Sequence, residues 1–234
     1  MDVLFSLFSS LPLAQLELDF TIISADIPYI VSGVLTNLAF TLVSALFGFI
    51  WGTVLAIFKI SAIKPLQWFA DFYTSIFRGT PLILQITIIY FATPQLLNYP
   101  IPSFLAGVIA FSLNSAAYSS ETIRGGIMGV DKGQREAAQT LGVKYMPMMM
   151  DIVLPQAFKN ILPALVNESI ALLKDSALVS VIGVEELMRR GQIVAQREFI
   201  YFEPLLVVGV VFYLMVIGFT WFARRFEKRM RFSD

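Results

Sequence analysis

The sequence predicts an all-α integral membrane protein with about five transmembrane helices, its amino terminus outside and its carboxyl terminus in the cytoplasm. Three observations carry this. Hydrophobic side chains make up 57% of the 234 residues and charged ones only 15%, too little polar surface for a soluble domain. The charges also cluster. Residues 27–58, 79–120 and 204–223 carry none, and each stretch reaches the roughly 20 residues that cross a bilayer as a helix. None alternates with the period of two that a barrel strand needs, so internally hydrogen-bonded helices are expected.

Five spans follow in order, at roughly 34–58, 71–93, 103–123, 160–182 and 203–223. Residues 1–30 form an extracytoplasmic amino-terminal segment. There Leu4, Phe8 and Leu11 make a short apolar stripe, read either as an interfacial helix on the outer face or as a partly ordered tail. In span one, Gly48 and Gly52 form a G-x-x-x-G pair that lets a neighbouring backbone approach. Pro94, Pro100 and Pro102 mark the turn between spans two and three. Span four is interrupted by Glu168, Lys174 and Asp175. It is nevertheless needed, because without it the two most basic segments fall on opposite sides of the membrane. With it, twelve of the seventeen basic residues lie inside and only Arg189, Arg190 and Arg197 lie outside, as the positive-inside rule requires. The transmembrane domain spans 31–226, and 227–234 is a basic cytoplasmic tail suited to anionic lipid.

Composition excludes several functions. Seventeen basic and seventeen acidic residues leave no net charge, so nucleic acid is not an expected partner. There is neither Cys nor His, hence no metal site of the usual kind is expected. No G-x-x-x-x-G-K-[ST] loop occurs, so the energy source is expected in another subunit. No nucleophile and base share a recognisable spacing, so no catalytic residue is expected. A stand-alone secondary carrier remains the competing reading, although no inverted repeat is visible across the five spans.

The longest inner segment, about 124–160, reads as folded rather than as a linker. Asp131 followed by Gln134 resembles a capping box. Residues 134–141 then form a short helix, and Gly142 stands where a left-handed terminal residue is expected. Pro147 is placed to open a second helix, with Pro155 and Pro163 punctuating the approach to span four. The helix offers a small face, Ala137 and Ala138, with Glu136 at its rim. That face suits a groove on a soluble partner, or else the segment is an amphipathic connector lying on the membrane. Met146, Met148, Met149 and Met150 suit either a surface that repacks or plain core and membrane contact.

Glu136-Ala137-Ala138, three residues, Gly142, nine residues, Ile152, one residue and Leu154-Pro155 resembles the EAA loop of the transmembrane subunits of ABC-type importers. Further motifs are similar to the polar amino acid permeases, the group of the histidine and glutamine systems. They are Arg78-Gly79-Thr80-Pro81-Leu82, Asn114-Ser115-Ala116-Ala117-Tyr118 with Glu121, and Leu173-Lys174-Asp175-Ser176. The resemblance runs from about Gly33 to Phe226. It implies a type I ABC importer transmembrane fold in a bacterial plasma (inner) membrane. It implies a permease subunit, not itself an enzyme, that couples to a separate ATPase through Glu136, Ala137, Ala138, Gly142, Ile152, Leu154 and Pro155. Implied partners are two cytoplasmic ATPase subunits carrying ATP and magnesium, a second permease copy or close relative, and an extracytoplasmic solute-binding protein.

Charges within the membrane are costly and face a cavity or a partner. At 100° per residue, Asn167, Glu168, Lys174 and Asp175 share one arc with Ala164 and Ala171. Asp71, Thr74, Arg78 and Gln85 line up in span two, and Asn114, Tyr118 and Glu121 in span three. Two readings stand. In one, they line a pathway for a zwitterionic solute, with Glu168, Glu121 or Asp175 for its ammonium and Arg78 or Lys174 for its carboxylate. In the other, Arg78 pairs with Glu121 or Glu168 to hold the bundle or gate it, and Lys174 and Asp175 snorkel to the outer interface.

Overall fold

A computed structural model describes residues 18–231, with side chains as far as Arg225. The expected stripe of Leu4, Phe8 and Leu11, and the side chains of the basic tail, lie outside the described residues.

Helix α1, Ile27–Ile60, starts with Pro28 in its first turn and ends at Ser61. One face buries Gly33, Asn37, Thr41, Ser44, Gly48 and Gly52, a spacing of three and four that makes a single helical stripe. Its Gly48 and Gly52 end packs along α4, Ser103–Met128, while a Cβ on Gly33 would meet the backbone of Glu186 and Leu187. A Cβ on Gly48 would stand 2.6 Å from the Cβ of Ser115, and one on Gly52 2.9 Å from the carbonyl of Ala116. The G-x-x-x-G pair is therefore a close backbone approach.

The expected continuous second span is broken. Helix α2, Lys64–Gly79, gives way at Thr80 and Pro81 to α3, Leu82–Leu97, bent from it by 101°. Pro81 has no N–H and forces Thr80 into extended backbone, at φ −119° and ψ 146°. Carbonyls freed by the break need donors inside a bilayer. Gln85 Nε2 supplies them to Phe77 O at 3.0 Å and Thr80 O at 3.1 Å, and Asn114 Nδ2 adds a second bond to Phe77 O at 3.0 Å. The α3 helix carries a π-helical turn at Ile88–Ala92 and ends with Asn98 left-handed, at φ 56°.

Helix α5, Lys132–Thr140, is followed by one nearly continuous helical path. It opens at Tyr145 with Pro147 in its first turn, not at Pro147 itself. A first-turn proline costs nothing there, because those N–H groups have no partner in any case. The path widens into a π segment, Met148–Val153, just before Pro155, and becomes α6, Leu154–Asp175. Pro155 and Pro163 both lie within it rather than ending it. Beyond Asp175 the chain tightens into a 3₁₀ segment, Ser176–Ile182, closed by Gly183 at φ 78°.

A short helix that the periodicity did not announce, α7, Leu187–Glu198, precedes α8, Phe202–Arg231. Glu186 caps α7, accepting from Met188 N and Arg189 N at 2.8 Å each. Asn37 of α1 donates to Glu186 Oε2 and Ser176 Oγ and accepts from Leu187 N. This fully buried junction joins α1, the 3₁₀ segment and α7.

Among the described residues, two helices are long and apolar enough to cross a membrane, Ile27–Ile60 and Phe202–Arg225, and the bent pair α2 and α3 makes a third when counted as one span. The α4 and α6 helices fall short of that apolarity for a structural reason. Thirteen of the 26 residues of α4 are buried, many of them Ser, Ala and Gly that let other helices close on it. The α6 helix carries Glu168, Lys174 and Asp175. Exposed apolar side chains lie instead on α1 and α8, such as Leu35, Leu42, Tyr213 and Trp221, and on the bent pair, such as Trp68, Phe72 and Leu96.

Candidate functional site

Two regions hold the residues singled out by sequence. The first is the loop between α4 and α6, expected on the cytoplasmic side. Asp131 accepts from Gly133 N at 2.6 Å and so caps α5. At the other end Gly142 N bonds Gln139 O and Val143 N bonds Ala138 O, both at 3.0 Å, with Gly142 left-handed at φ 74°. This is a Schellman ending, and its left-handed position favours glycine over any residue with a Cβ. Arg135 donates to Ile127 O near the carboxyl end of α4. Ala138 is buried in a cluster with Ile123, Ile127, Val130, Met148 and Ala157. The small face thus divides. Ala138 packs against this chain's own helices and only Ala137 is exposed, beside Glu136.

The free face of the loop is broader than Glu136 and Ala137. Leu141, Tyr145, Met146 and Met150 are more than half exposed. The methionine run divides too, with Met148 in the core and Met146 and Met150 on the surface. Leu141 was missed because it ends the helical pattern. Its signal was a large apolar side chain next to a glycine terminator, where nothing on its own helix can cover it. Of the remaining motif residues, Ile152 and Leu154 are half-buried against the same cluster as Ala138, and Pro155 is exposed.

The second region is a cavity of about 490 Å³ inside the helical bundle. Thr80, Pro81 and Leu82 at the helix break form one wall, Asn114, Ser115 and Tyr118 of α4 a second, and Glu168, Ala171 and Asp175 of α6 a third. Glu168 Oε1 accepts from Ser115 Oγ and Ser119 Oγ, both at 2.8 Å, while Oε2 is buried with no partner among the described residues. A carboxylate with one oxygen unmatched in a cavity wall is a ready acceptor for a donor entering from the cavity. Glu168 also borders a second, mostly apolar cavity of about 390 Å³, together with Phe49, Phe158 and Ser169.

Asn114, Tyr118, Glu168 and Asp175 therefore meet, as the two helical arcs predicted. Asn167 and Lys174 are exposed and not part of this lining. Neither expected ion pair of Arg78 forms. Its guanidinium lies 5.3 Å from the ring centre of Tyr118, a cation–π contact at the rim of the cavity. The break between α2 and α3 is why the sequence misled here, since a continuous helix would have carried Arg78 along one face with Gln85. Glu121 is also outside the lining. It is held by Lys59 Nζ at 2.6 Å and by Arg124 Nη2 at 2.8 Å. Lys59 is one of the basic residues counted on the inner side by charge alone. Its closeness to the end of α1, facing Asp71 in the next helix, was the available clue.

The sequence matches the family described as binding-protein-dependent transport system inner membrane component over residues 48–232. It is 50% identical over 219 residues to the arginine transport system permease protein ArtQ of Bacillus subtilis, covering 94% of this chain and all of that protein. It is 48% identical over 207 residues to the putative glutamine transport system permease protein GlnP of Rickettsia bellii, covering 88% of this chain and 95% of that one. A solved structure described as an amino acid ABC transporter with histidines superposes with a TM-score of 0.87 at 40% identity, over 92% of this chain and 100% of that chain.

Proposed function

The chain belongs to the binding-protein-dependent transport system inner membrane components, the permease subunits of ABC importers, and from that premise we propose that it forms the translocation pathway of an ATP-driven importer for polar amino acids. Its fold is that of type I ABC importer permeases and its place is the bacterial inner membrane. Two ATPase subunits, a second permease copy or close relative and an extracytoplasmic solute-binding protein complete the machine. ATP and magnesium belong to the ATPase subunits.

One observation carries the reading. A short helix capped at both ends is fastened to the cytoplasmic end of α4, the helix whose other residues wall the cavity. An exposed rim of Glu136, Ala137, Gly142 and Pro155, with Leu141 added, docks the ATPase, while Ala138, Ile152 and Leu154 anchor that rim to the permease. ATP binding changes the separation of the ATPase subunits, and a fastened helix turns that change into motion of the cavity walls. Alternating access follows when ATP favours one opening of the cavity over the other.

In the cavity, Glu168 and Asp175 take the solute's ammonium group. Arg78, poised at the rim over Tyr118, takes its carboxylate, and Asn114 and Tyr118 shape the wall. Glu121, Asn167 and Lys174 serve the gate rather than the solute.

The test is a pull-down from native membranes in mild detergent, followed by uptake in reconstituted vesicles. Recovery of a soluble ATPase, and uptake of arginine or glutamine only when ATP is supplied, support the reading. Repeated purification without an ATPase, together with ATP-independent uptake, overturns it in favour of a secondary carrier.

A further inference from the structure

The cytoplasmic end of α1 carries a cation that the transport reading leaves unused. The side chain of Lys59 is only 5% exposed. Its Nζ donates to Asp71 Oδ1 at 2.8 Å, Thr74 Oγ1 at 2.9 Å and Glu121 Oε1 at 2.6 Å. That uses all three donors of an ammonium group. The other oxygen of Glu121 is held by Arg124 Nε and Nη2 at 3.0 and 2.8 Å. A cation buried with this many acceptors is costly to disturb, unlike an exposed surface pair.

The partners of Lys59 lie on helices with different destinations. The α4 helix, carrying Glu121 and Arg124, runs on to Ile127, where Arg135 of the docking loop is attached. The α2 helix, carrying Asp71 and Thr74, ends beside Thr80 and Pro81 on the cavity wall. Along the chain, α2 reaches the loop only through the 101° break and the whole of α3 and α4. Across space, α2 is fastened to α4 higher up, by Tyr73 Oη on Leu113 O at 2.8 Å and Asn114 Nδ2 on Phe77 O. Lys59 supplies the fastening at the end nearest the loop.

We propose that Lys59 is a positioning residue for energy coupling. It clamps α2 to the loop-bearing end of α4, so that displacement of the docking loop carries Thr80 and Pro81 with it. This rests on the reading of the chain as a subunit of an ATP-driven importer. Without the clamp the ATPase still docks, because the bonds of Lys59 go to Asp71, Thr74 and Glu121 and not to the docking rim, but α2 is then held to α4 only at its far end, by Tyr73 and Asn114, and the cavity wall follows the loop less closely. Spatial continuity alone does not establish such coupling; a change in the response of one site to the other does.

The experiment uses the permease–ATPase complex copurified from membranes and reconstituted in vesicles with its solute-binding protein, with arginine and glutamine as trial solutes. Basal and solute-stimulated ATP hydrolysis are compared. Lys59→Met is expected to lower the stimulated rate about tenfold, leaving basal hydrolysis and ATPase recovery unchanged. Lys59→Arg, which keeps the charge and the donors, is expected to restore most of the stimulation. Full stimulation in Lys59→Met overturns the proposal, and so does an equal fall of basal and stimulated rates, which marks a merely structural role. Should Lys59→Met fail to insert, Thr74→Val removes one acceptor of the clamp and is read by the same ratio, an unchanged ratio again overturning the proposal. A wild-type chain that recovers no ATPase at all fails the importer reading first, and the proposal with it.

Discussion

At the loop between α4 and α6, the bonds that shape α5 are local. Asp131 caps a residue two positions on, Val143 closes the helix on Ala138, and Arg135 reaches back to Ile127. At the cavity, the bonds cross the molecule. Asn114 meets Gln85 29 residues away, and Ser115 meets Glu168 53 residues away. The loop is therefore a rigid piece made by local backbone chemistry, and the cavity is a space that exists only when four helices have already packed. Damage at the loop should break attachment to the motor and leave the cavity whole. Damage at the cavity should do the reverse.

The largest expected effect is at the loop. Glu136→Lys reverses a charge on the exposed rim, next to Ala137 and away from the packed side of α5. Disturbing one partner of an interfacial charge pair costs about 3 kcal/mol, roughly a hundredfold in affinity. Titration of the detergent-solubilised permease with the ATPase should show that loss, with membrane insertion and thermal unfolding unchanged. Unaltered ATPase binding would remove Glu136 from the docking rim and erase the division between the two regions.

Next comes the helix break. Gln85→Leu takes the donor from Thr80 O and the acceptor from Asn114 Nδ2, leaving polar backbone unmatched inside the membrane. The cost is about 2 kcal/mol, read as a lower midpoint of thermal unfolding in detergent, with ATPase binding retained. A smaller change, of about 1.4 kcal/mol or tenfold in uptake, is expected for Glu168→Gln. The amide oxygen still accepts from Ser115 and Ser119, so the wall keeps its shape while the charge is lost. Uptake at the normal rate would mean that Glu168 only holds α4 to α6.

The same contrast explains what the sequence disclosed. The Asp131 cap and the Gly142 terminator are short-range rules, and both were readable from residue type and spacing. The arcs on spans three and four were readable in part: α4 and α6 keep the helical period and bring Asn114, Tyr118, Glu168 and Asp175 to the cavity, while Glu121, Asn167 and Lys174 of the same arcs lie outside it. The line through Asp71, Arg78 and Gln85 failed because Pro81 breaks the period within it. Proline in a membrane helix is compatible with a kink, a break or no change, and only the donors of Gln85 and Asn114 decide among them. Helix α7 was hidden for a related reason. It is capped by Glu186, whose own placement depends on Asn37 of α1, a contact spanning 149 residues that no local pattern encodes. Ala138 lies on the packed side of α5, which the pattern did not disclose, because small residues serve close packing on either side of a helix.

The smallest expected effect separates backbone from surface at the loop. Gly142 is left-handed, and a Cβ built there meets nothing within 4 Å. Gly142→Ala therefore costs only the conformational penalty, about 1 kcal/mol. That corresponds to roughly fivefold weaker ATPase binding if the Schellman ending positions the rim. Asn tolerates the left-handed region far better than Ala, so Gly142→Asn should bind nearly as well as the wild type although its side chain is larger. Gly142→Asp, which shares that tolerance, then isolates the effect of a negative charge beside Leu141. If Ala and Asn weaken binding equally, the penalty is not backbone strain. With open space around Gly142 within this chain, the clash would then have to be with the docked partner. That outcome would move Gly142 from the frame of the loop to its contact surface.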